Sequence, residues 1–400
     1  MNKFMPNPPW VHTNYRLTRL LLFFAALFIL SSLYITVPLV PEFARDFQIA
    51  PERAALTGSV FSLFFASGCL LFGPLSDRLG RKRVIVAGLA VLGFATLGIG
   101  LISSFEGLLL LRCIQGAAAA TFSPVALTYA GEVFPAPKRI AAISTISAGF
   151  LMAGIFGQLW ASFFAETMGW HSVFSLLSAV YFATLLSIGL FLPVGQAIEH
   201  RAKPPRGEPW TSILANRHLR LCYLVAALLL LCFVGMYSLL GDFLQAEPYS
   251  LSSAQILGIR SLGLFGMLFS LVSGKLCAKL GKLTVLRVGL LLSVGGLAGM
   301  GFTQTLSFYI VLSILFVTGI AVVVPALISL VGEIMSEHRA AATSLYTFVL
   351  FVGASMGPII AIQLLKMNLG SGVPFLILAA LLSLGLLGAL FMKIPKESSA

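Results

Sequence analysis

A short basic segment lies between two long apolar runs and occurs twice in this chain. Residues 73–83 read Gly-Pro-Leu-Ser-Asp-Arg-Leu-Gly-Arg-Lys-Arg, and residues 274–282 read Gly-Lys-Leu-Cys-Ala-Lys-Leu-Gly-Lys, 201 positions later. Closely spaced cations in a short loop are typical of the cytoplasmic side of membrane proteins. The repetition therefore constrains the chain to fold as a membrane protein with two related halves.

Apolar runs long enough to cross a bilayer account for most of the 400 residues. The chain is 58% hydrophobic and 10% charged, whereas a soluble protein carries about 25% charged residues. A spanning helix needs about 20 apolar residues, and ten runs qualify directly: 20–40, 56–75, 84–104, 107–130, 140–165, 172–194, 221–241, 251–274, 340–365 and 372–392.

One further apolar stretch is too long for a single span. Residues 288–332 contain no formal charge, and the segment 304–307, Gln-Thr-Leu-Ser, is the only polar turn inside them. Dividing the stretch there gives twelve spans. We predict an all-α membrane protein of twelve transmembrane helices in two pseudo-symmetric bundles.

The repeat predicts the division of the chain into halves. The offset of 201 also relates Gly131–Glu132 to Gly332–Glu333. We predict a six-helix bundle over residues 1–194, a polar linker containing proline over 195–220, and a second six-helix bundle over 221–400. Parallel repeats of this kind place a substrate path between the two bundles.

The charges are distributed asymmetrically between the predicted loops. Of the 26 Lys and Arg residues, 21 lie in the terminal segments and the loops on one side, and three lie in the loops on the other. The positive-inside rule places both termini in the cytoplasm. The net charge of +12 is clustered beside apolar runs, so we expect the basic residues to face the lipid bilayer and expect no nucleic-acid partner.

No pattern typical of an enzyme occurs in the sequence. There is no nucleophile–base pair, no metal-ligand spacing and no phosphate-binding loop, so we expect no enzymatic activity, metal or cofactor, and no ATP-driven pump. The cysteines are odd in number and lie in apolar surroundings, which predicts packing residues. They are Cys69, Cys113, Cys222, Cys232 and Cys277.

The segment 73–83 resembles the loop between the second and third helices of the major facilitator superfamily, which reads Gly-x-x-x-Asp-Arg-x-Gly-Arg-Lys. Within that family the chain is similar to twelve-helix bacterial exporters of drugs and sugars that are driven by protons. The resemblance implies a bacterial inner-membrane protein with alternating access, and a charged latch at the cytoplasmic end. It assigns the latch to Gly73, Asp77, Arg78, Gly80 and Arg81.

Two features qualify this latch. In the second copy Ala278 replaces the acid, so we expect the latch to be asymmetric and the first copy to dominate. The alternative interpretation is a cytoplasmic loop whose charges only obey the positive-inside rule.

Arg112 is the most costly residue of the predicted fourth span. An Arg at the centre of a span costs roughly 2.5–3.5 kcal/mol on insertion scales, so it is expected to face the bundle interior or a wet cavity. Gln115 lies three residues later on the same helix face. Residues 108–116 resemble the family's second motif, which is associated with proton transfer. The alternative is a purely structural Arg that snorkels.

Arg260 is the second cation inside a span and matches no family motif. Three roles are open for it: contact with an anionic substrate, pairing with Asp242, or snorkelling towards the outer interface. No Asp or Glu falls in the middle of a span, whereas many relatives have an acid in the first. The candidates for proton binding are Asp242, our first choice, then Glu42 and Glu132; the alternative for each is a solvated helix end.

Three tyrosines lie in spans that line the central cavity in the family. They are Tyr34 in span one, Tyr237 in span seven and Tyr346 in span eleven. With Gln158 in span five they predict a mostly apolar pocket with a few polar groups, suited to an amphipathic or cyclic small molecule. The alternative is that these rings face lipid.

Glycines on several spans predict close helix packing. The positions that we single out are Gly116, Gly154, Gly157 and Gly357. Exporters of the family carry a Gly-Pro pair in span five, but here Gln158 follows Gly157, and the pair occurs in span eleven with Pro358. Trp170, at the start of span six, predicts an interfacial anchor.

These observations predict a secondary transporter that exports small organic molecules in exchange for protons. We expect a monomer to enclose the path. The alternatives are a proton-coupled uptake symporter for a small metabolite and, in a different class, a membrane receptor that does not transport. A receptor or assembly factor would be expected to carry a sizeable extramembrane domain, and the predicted loops are short.

Overall fold

The computed structural model of this protein describes residues 14–193, 209–336, 338–367, 370 and 372–392. Within these residues it consists of 17 helices and contains no strand. The prediction of an all-α membrane protein is therefore confirmed. Residues 195–208 of the predicted linker lie outside the described residues, as do its cations Arg201, Lys203 and Arg206.

The described part of the first half, residues 14–193, contains nine helices. They are α1 (Tyr15–Ser31), α2 (Val40–Asp46), α3 (Pro51–Ala54), α4 (Leu56–Leu79), α5 (Arg81–Leu101), α6 (Phe105–Ala119), α7 (Ser123–Val133), α8 (Ala136–Met168) and α9 (Trp170–Phe191).

The described residues from 209 onwards contain eight more. They are α10 (Pro209–Ala215), α11 (Arg217–Gln245), α12 (Ser253–Leu268), α13 (Ser270–Leu280), α14 (Lys282–Phe302), α15 (Leu306–Ile334), α16 (Arg339–Lys366) and α17 (Val373–Leu390). α11 begins at Arg217, four residues before the predicted second half, because Asn216 caps its first turn with a side-chain oxygen.

Eleven stretches of the described chain are helical, long and apolar enough to cross a membrane. Three of them combine consecutive helices: α3 with α4, α6 with α7, and α12 with α13. α1, with 17 residues, provides the shorter first crossing. The order of the twelve crossings follows the twelve predicted apolar runs, including the division of residues 288–332 near Thr305.

The apolar run 20–40 predicts one continuous helix for the first crossing, and the structure shows that this prediction is wrong. α1 ends at Ser31, and residues 32–39 form successive turns whose N–H groups bond to carbonyls three residues earlier, such as Tyr34 to Ser31 at 2.9 Å. Pro38 lacks the N–H group that would continue the helix. A run of apolar residues could not reveal this break, because tight turns and α-helix have similar composition.

The basic segments are mostly helical rather than loops. Residues 73–79 belong to α4 and Arg81 starts α5, so Gly80 alone makes the turn, with φ of 92°. Gly281 makes the same turn between α13 and α14, with φ of 81°. Glycine is needed at both positions because a side chain disfavours positive φ. We call the end of the bundle that carries these two turns the basic end.

The most extensive contacts between the two halves are made by two equivalent helix pairs. α4 packs along α16, and α13 packs against α8. At the basic end, a Cβ atom on Gly73 would collide with Ser344 and lie 3.1 Å from the carbonyl oxygen of Ala340. A Cβ on Gly274, 201 positions later, would lie 3.0 Å from Cα of Ala141. The duplication is thus visible in the contacts between halves, as well as in the sequence.

Candidate functional site

Arg81 is the centre of a charged cluster at the basic end. Its side chain is 3% exposed and bonds to both oxygens of Glu132, at 2.9 and 3.3 Å. It also pairs with Asp77, one turn earlier, and donates to the Ser76 hydroxyl and to the carbonyl of Gly73. The guanidinium therefore ties the end of α4 to the end of α7.

The predicted latch residues differ in their placement. Gly73, Asp77, Gly80 and Arg81 come together in this cluster or at its turn, whereas Arg78 is exposed. Glu132 was considered as a proton-binding acid, and the sequence did not indicate that it would bind Arg81. The two residues are 51 positions apart, so only the packing of α7 against α4 brings them together.

The second half repeats the ion pair in a more exposed form. Lys282 and Glu333, each 201 positions after its counterpart, pair with side-chain exposures of 17% and 46%. Ala278 and Cys277 occupy the positions of Asp77 and Ser76.

Arg112 is fully buried where α1, α4 and α6 meet. It donates to the carbonyl of Thr57 from Nε and to the carbonyl of Ser32 from Nη1, both at 3.0 Å. Nη1 also donates to Gln115, and the guanidinium lies 4.3 Å from the centre of the Phe61 ring. The positive charge is thus placed at the end of α1, where helix carbonyls have lost their partners.

A polar network extends from Arg112 through the first half. Gln115 donates to the hydroxyl of Thr96 on α5 at 2.7 Å. The hydroxyls of Ser32 and Tyr181 are hydrogen-bonded to each other, and Tyr181 also donates to the carbonyl of Phe28. Sequence inspection did not identify Thr96 or Tyr181, because single hydroxyl groups in apolar spans give no pattern. The network fixes the break in the first crossing against α5 and α9.

Arg260 is half-buried on α12, against α11. Its Nη2 atom donates to the carbonyl of Tyr237 at 2.7 Å, and its buried Nε atom has no partner among the described residues. No carboxylate in the described chain lies within 4.0 Å of it, so the option of a direct pair with Asp242 is not realised in this conformation. The buried hydroxyl of Tyr237 likewise has no described partner.

Of the three candidate acids, none lies in the interior of a crossing. Asp242 is exposed near the end of α11, opposite the basic end, and Glu132 belongs to the Arg81 cluster. Glu42 follows the first crossing, on the short helix α2. Partial burial raises the pKa of the Glu42 carboxyl, and the charge of Arg45 opposes that shift.

The sequence predicts that Trp170 is an interfacial anchor, but the structure places its ring inside the first half. Its ring is 3% exposed, and its Nε1 atom donates to Asp46 at 2.8 Å. The ring also meets Phe43 at 5.1 Å between centroids. The side chain joins α9 to α2 inside the first half.

A small apolar cavity lies between the two halves near the middle of the crossings. Tyr34 and Tyr346 line it, together with rings that include Phe150, Phe233 and Phe351. Tyr237 and Gln158 are not among its lining residues. Gln158 donates to the carbonyl of Gly154 in its own helix.

A larger cavity of about 900 Å³ opens between the halves at the basic end. It shares Leu127 and Ile328 with the central cavity, so the two are adjacent. Arg339, which sequence analysis did not single out, lines it and bonds to carbonyls in both halves, Gly131 at 3.1 Å and Gly332 at 3.0 Å. A path between the halves therefore reaches from the aromatic centre to the basic end.

A third cavity lies away from this path. It has a volume of about 690 Å³ and is lined almost wholly by apolar residues of α4, α5 and α6, with Arg83 at one edge. Because all its lining residues belong to the first half, this cavity is a groove on one bundle and is not part of the contact between the two halves.

The singled-out glycines mark close helix contacts within each half. A Cβ on Gly116 would collide with the backbone of Phe61, and one on Gly157 would lie 2.7 Å from the carbonyl of Ser31. One on Gly357, next to Pro358 within α16, would lie 2.7 Å from the carbonyl of Leu231. Gly154 instead faces the Tyr34 ring at 3.6 Å.

The duplicated crossings and the path between them match a known family. The sequence profile of the Major Facilitator Superfamily matches residues 22–358 and 261–400. The chain belongs to the Major Facilitator Superfamily. Members of this superfamily are transporters.

Several known proteins are similar to this superfamily member. YybF of Bacillus subtilis, an uncharacterised MFS-type transporter, is 28% identical over 84% of this chain and 83% of its own. A chloramphenicol resistance protein of Pseudomonas aeruginosa is 26% identical over 83% of this chain and 80% of its own. The crystal structure of the human organic anion transporter MFSD10 has a TM-score of 0.73, 20% identity, and coverage of 96% of this chain and 100% of that one.

Proposed function

We propose that this protein is a secondary active transporter that exports small organic molecules in exchange for protons. The two paired contacts between halves, α4 with α16 and α13 with α8, support alternating access, because they flank a cavity of about 900 Å³. Separation at these two contacts widens the path on one side, and their closure seals it. The chloramphenicol resistance protein among the relatives supports a small organic substrate.

Charge distribution supports the orientation of this transporter. The segments at the basic end carry most of the 21 cations counted on one side, so we place that end and both termini in the cytoplasm of a bacterial cell, with the protein in the plasma membrane. In this orientation the Arg81 cluster latches the cytoplasmic gate. A single chain encloses the path, and we propose a monomer.

Proton-flux measurements in inverted membrane vesicles test the proposal. The vesicles are energised so that their lumen becomes acidic, and a pH-sensitive dye reports proton release when chloramphenicol, cationic dyes, sugars or aromatic carboxylates are added. We expect at least one compound to trigger release. Asp77→Asn abolishes the response by breaking the latch, and Asp242→Asn abolishes it by removing our first-choice proton site.

Glu106→Gln is the matched control, because this carboxylate is 75% exposed and pairs only at the surface with Arg53. It retains the wild-type response. If no compound triggers proton release while the protein is present in the membrane, export by proton exchange is wrong. If Asp242→Asn responds normally, the coupling acid lies elsewhere.

Proton-coupled uptake is the second candidate. The specific observation in its favour is Gln158, which occupies the position where exporters carry proline after Gly157, while the Gly-Pro pair occurs at Gly357–Pro358. Right-side-out vesicles with an inward proton gradient distinguish the two directions. Accumulation of a compound inside such vesicles favours uptake, whereas its loss favours export.

A further inference from the structure

In the described membrane-spanning region, the charges away from the ends of the crossings are positive. In the described crossings, every Asp and Glu lies within four residues of an end, whereas Arg112 and Arg260 each lie about two turns inside. A cation that moves through this interior is repelled by both arginines and finds no carboxylate to compensate its desolvation. An anion is attracted by the same two charges.

The two arginines differ in how far their own surroundings satisfy them. Arg112 is fully buried, makes three hydrogen bonds, lies over the Phe61 ring and has only its Nη2 atom without a described partner. Arg260 is half-buried, makes one hydrogen bond, to the carbonyl of Tyr237, and keeps its Nε donor without a described partner. Arg260 is therefore the cation that a ligand can reach.

A second unsatisfied donor lies close to Arg260. The Tyr237 hydroxyl is buried without a described partner and lies against Gly263, one turn after Arg260 on α12. Ile155 of α8, in the other half, would lie 3.8 Å from a Cβ atom on Gly263. Gly263 makes this arrangement possible, because a Cβ there would collide with the hydroxyl. The Tyr237 hydroxyl thus lies one turn of α12 from Arg260, near a side chain of the other half.

Aromatic rings connect this point to the central cavity. The Tyr237 ring meets the Phe233 ring edge to face, with 5.3 Å between centroids, and Phe233 lines the cavity. On the opposite wall the Tyr34 ring, which also lines the cavity, packs against Gly154, the neighbour of Ile155. A ligand with a charged group at Arg260 therefore has its apolar body directed towards these rings, and the cavity of about 40 Å³ has to widen to admit it.

The cavity at the basic end is also lined by an excess of positive charge, like the interior around Arg112 and Arg260. Arg139, Lys282 and Arg339 line it, and Glu333 is its only described acidic lining residue. Glu333 is paired with Lys282. A cleft with an excess of one charge concentrates ligands of the opposite charge. An anion is thus favoured both at the opening of the path and at its centre.

We propose that Arg260 and Tyr237 bind the anionic group of the transported molecule, and that the substrates are amphipathic organic anions with a carboxylate, sulfonate or phosphate group and an apolar body. The site rests on the proposed transport function and names its substrate class.

A binding experiment on the purified full chain tests this substrate class. Three probes share one ring system: 2-naphthoate, its neutral amide and 2-naphthylmethylammonium. We expect isothermal titration to give naphthoate a dissociation constant at least about tenfold lower than that of the amide, with the ammonium weakest. Arg260→Gln removes the preference for naphthoate over the amide, and Tyr237→Phe weakens naphthoate about threefold.

Two further variants control for the loss of any nearby positive charge and for misfolding of Arg260→Gln. Arg53→Gln removes one cation that is 55% exposed and lies near the same end as Arg260; it leaves naphthoate binding unchanged. Arg260→Lys keeps the charge without the planar fork, so it retains a preference for naphthoate over the amide. This variant tests the site even if Arg260→Gln fails to fold.

The outcomes separate this inference from the proposed function. Equal or tighter binding of the amide or the ammonium, no binding of naphthoate, or naphthoate binding that is unaffected by Arg260→Gln each overturns the anion site. Because the titration uses no proton gradient, it is independent of coupling and direction. If only cations trigger proton release, the transport proposal stands and the anionic substrate class is wrong. If naphthoate binds selectively but no compound triggers proton release, the anion site stands and export by proton exchange is wrong.

Discussion

The two copies of the basic turn form the same ion pair at different depths. In the first half Arg81 is 3% exposed and bonds to two carboxylates, a hydroxyl and a carbonyl. In the second half Lys282 is 17% exposed, its partner Glu333 is 46% exposed, and Ala278 replaces the second acid. Both halves have kept the ion pair, but we expect the buried pair of the first half to contribute more to stability than the exposed pair of the second.

This difference shows how a repeated fold produces ion pairs of unequal burial in its two halves. An exposed Lys pair is screened by water and contributes little, whereas a buried guanidinium that loses its partners leaves charges without compensation. The effect of a substitution in one half can therefore be compared with the effect of a substitution at the matched position, 201 residues away, in the other half.

The largest contrast is expected between Arg81→Gln and Lys282→Gln. The first leaves Asp77 and Glu132 facing each other without the cation, and lowers the free energy of unfolding by about 3 kcal/mol. It also reduces transport at least about tenfold. The second costs less than about 1 kcal/mol. Thermal unfolding in detergent and vesicle transport measure both, and equal losses would show that the two latches carry equal weight.

The second contrast compares Arg112→Met with Ser313→Ala, the matched position in the second half. Arg112→Met leaves the buried carbonyl of Ser32 without its donor and removes a second donor from the carbonyl of Thr57, at a cost of about 2 kcal/mol. Ser313 bonds only within its own helix, to Ile310, so its loss costs less than about 0.5 kcal/mol. Denaturant or thermal unfolding checks the difference. A small effect at Arg112 would contradict its role in fixing the break after α1.

A third pair is expected to behave alike in the two halves. Gly73→Leu and Gly274→Leu each force a side chain into the contact between halves, at a cost of about 1–3 kcal/mol. Both shift the equilibrium towards a basic end that is open. The reactivity of a cysteine introduced at Thr343, which lines the cavity there, rises in both variants. A rise in only one would show that a single contact controls the gate.

The smallest effect is expected at the opposite end. Arg53 pairs with Glu106 in the first half, at exposures of 55% and 75%, while Ala254 and Ser307 occupy the matched positions in the second. Arg53→Gln changes the free energy of unfolding by less than about 0.5 kcal/mol. A double-mutant cycle with Glu106→Gln measures the pair. A coupling above about 1 kcal/mol would contradict its solvated character.

The fold could be predicted further than the site. Twelve crossings, the division of residues 288–332 and the turns at Gly80 and Gly281 follow from apolar length and glycine placement, which are local. The partners of the charged residues are not local: Arg81 binds Glu132 across 51 positions, and Trp170 binds Asp46 across 124. Sequence inspection therefore found most of the charged residues and missed several of the bonds between them.

The sequence by itself determined a membrane protein with two related bundles, because bilayer thickness, positive charge bias and a fixed offset are all properties of the linear chain. Only the tertiary structure decided that the first crossing breaks after Ser31, that Arg112 is enclosed by carbonyls there, and that Arg260 keeps an unsatisfied donor beside Tyr237. The physical reason is that the cost of a buried charge depends on the groups packed around it. Those groups come from helices far apart in the chain.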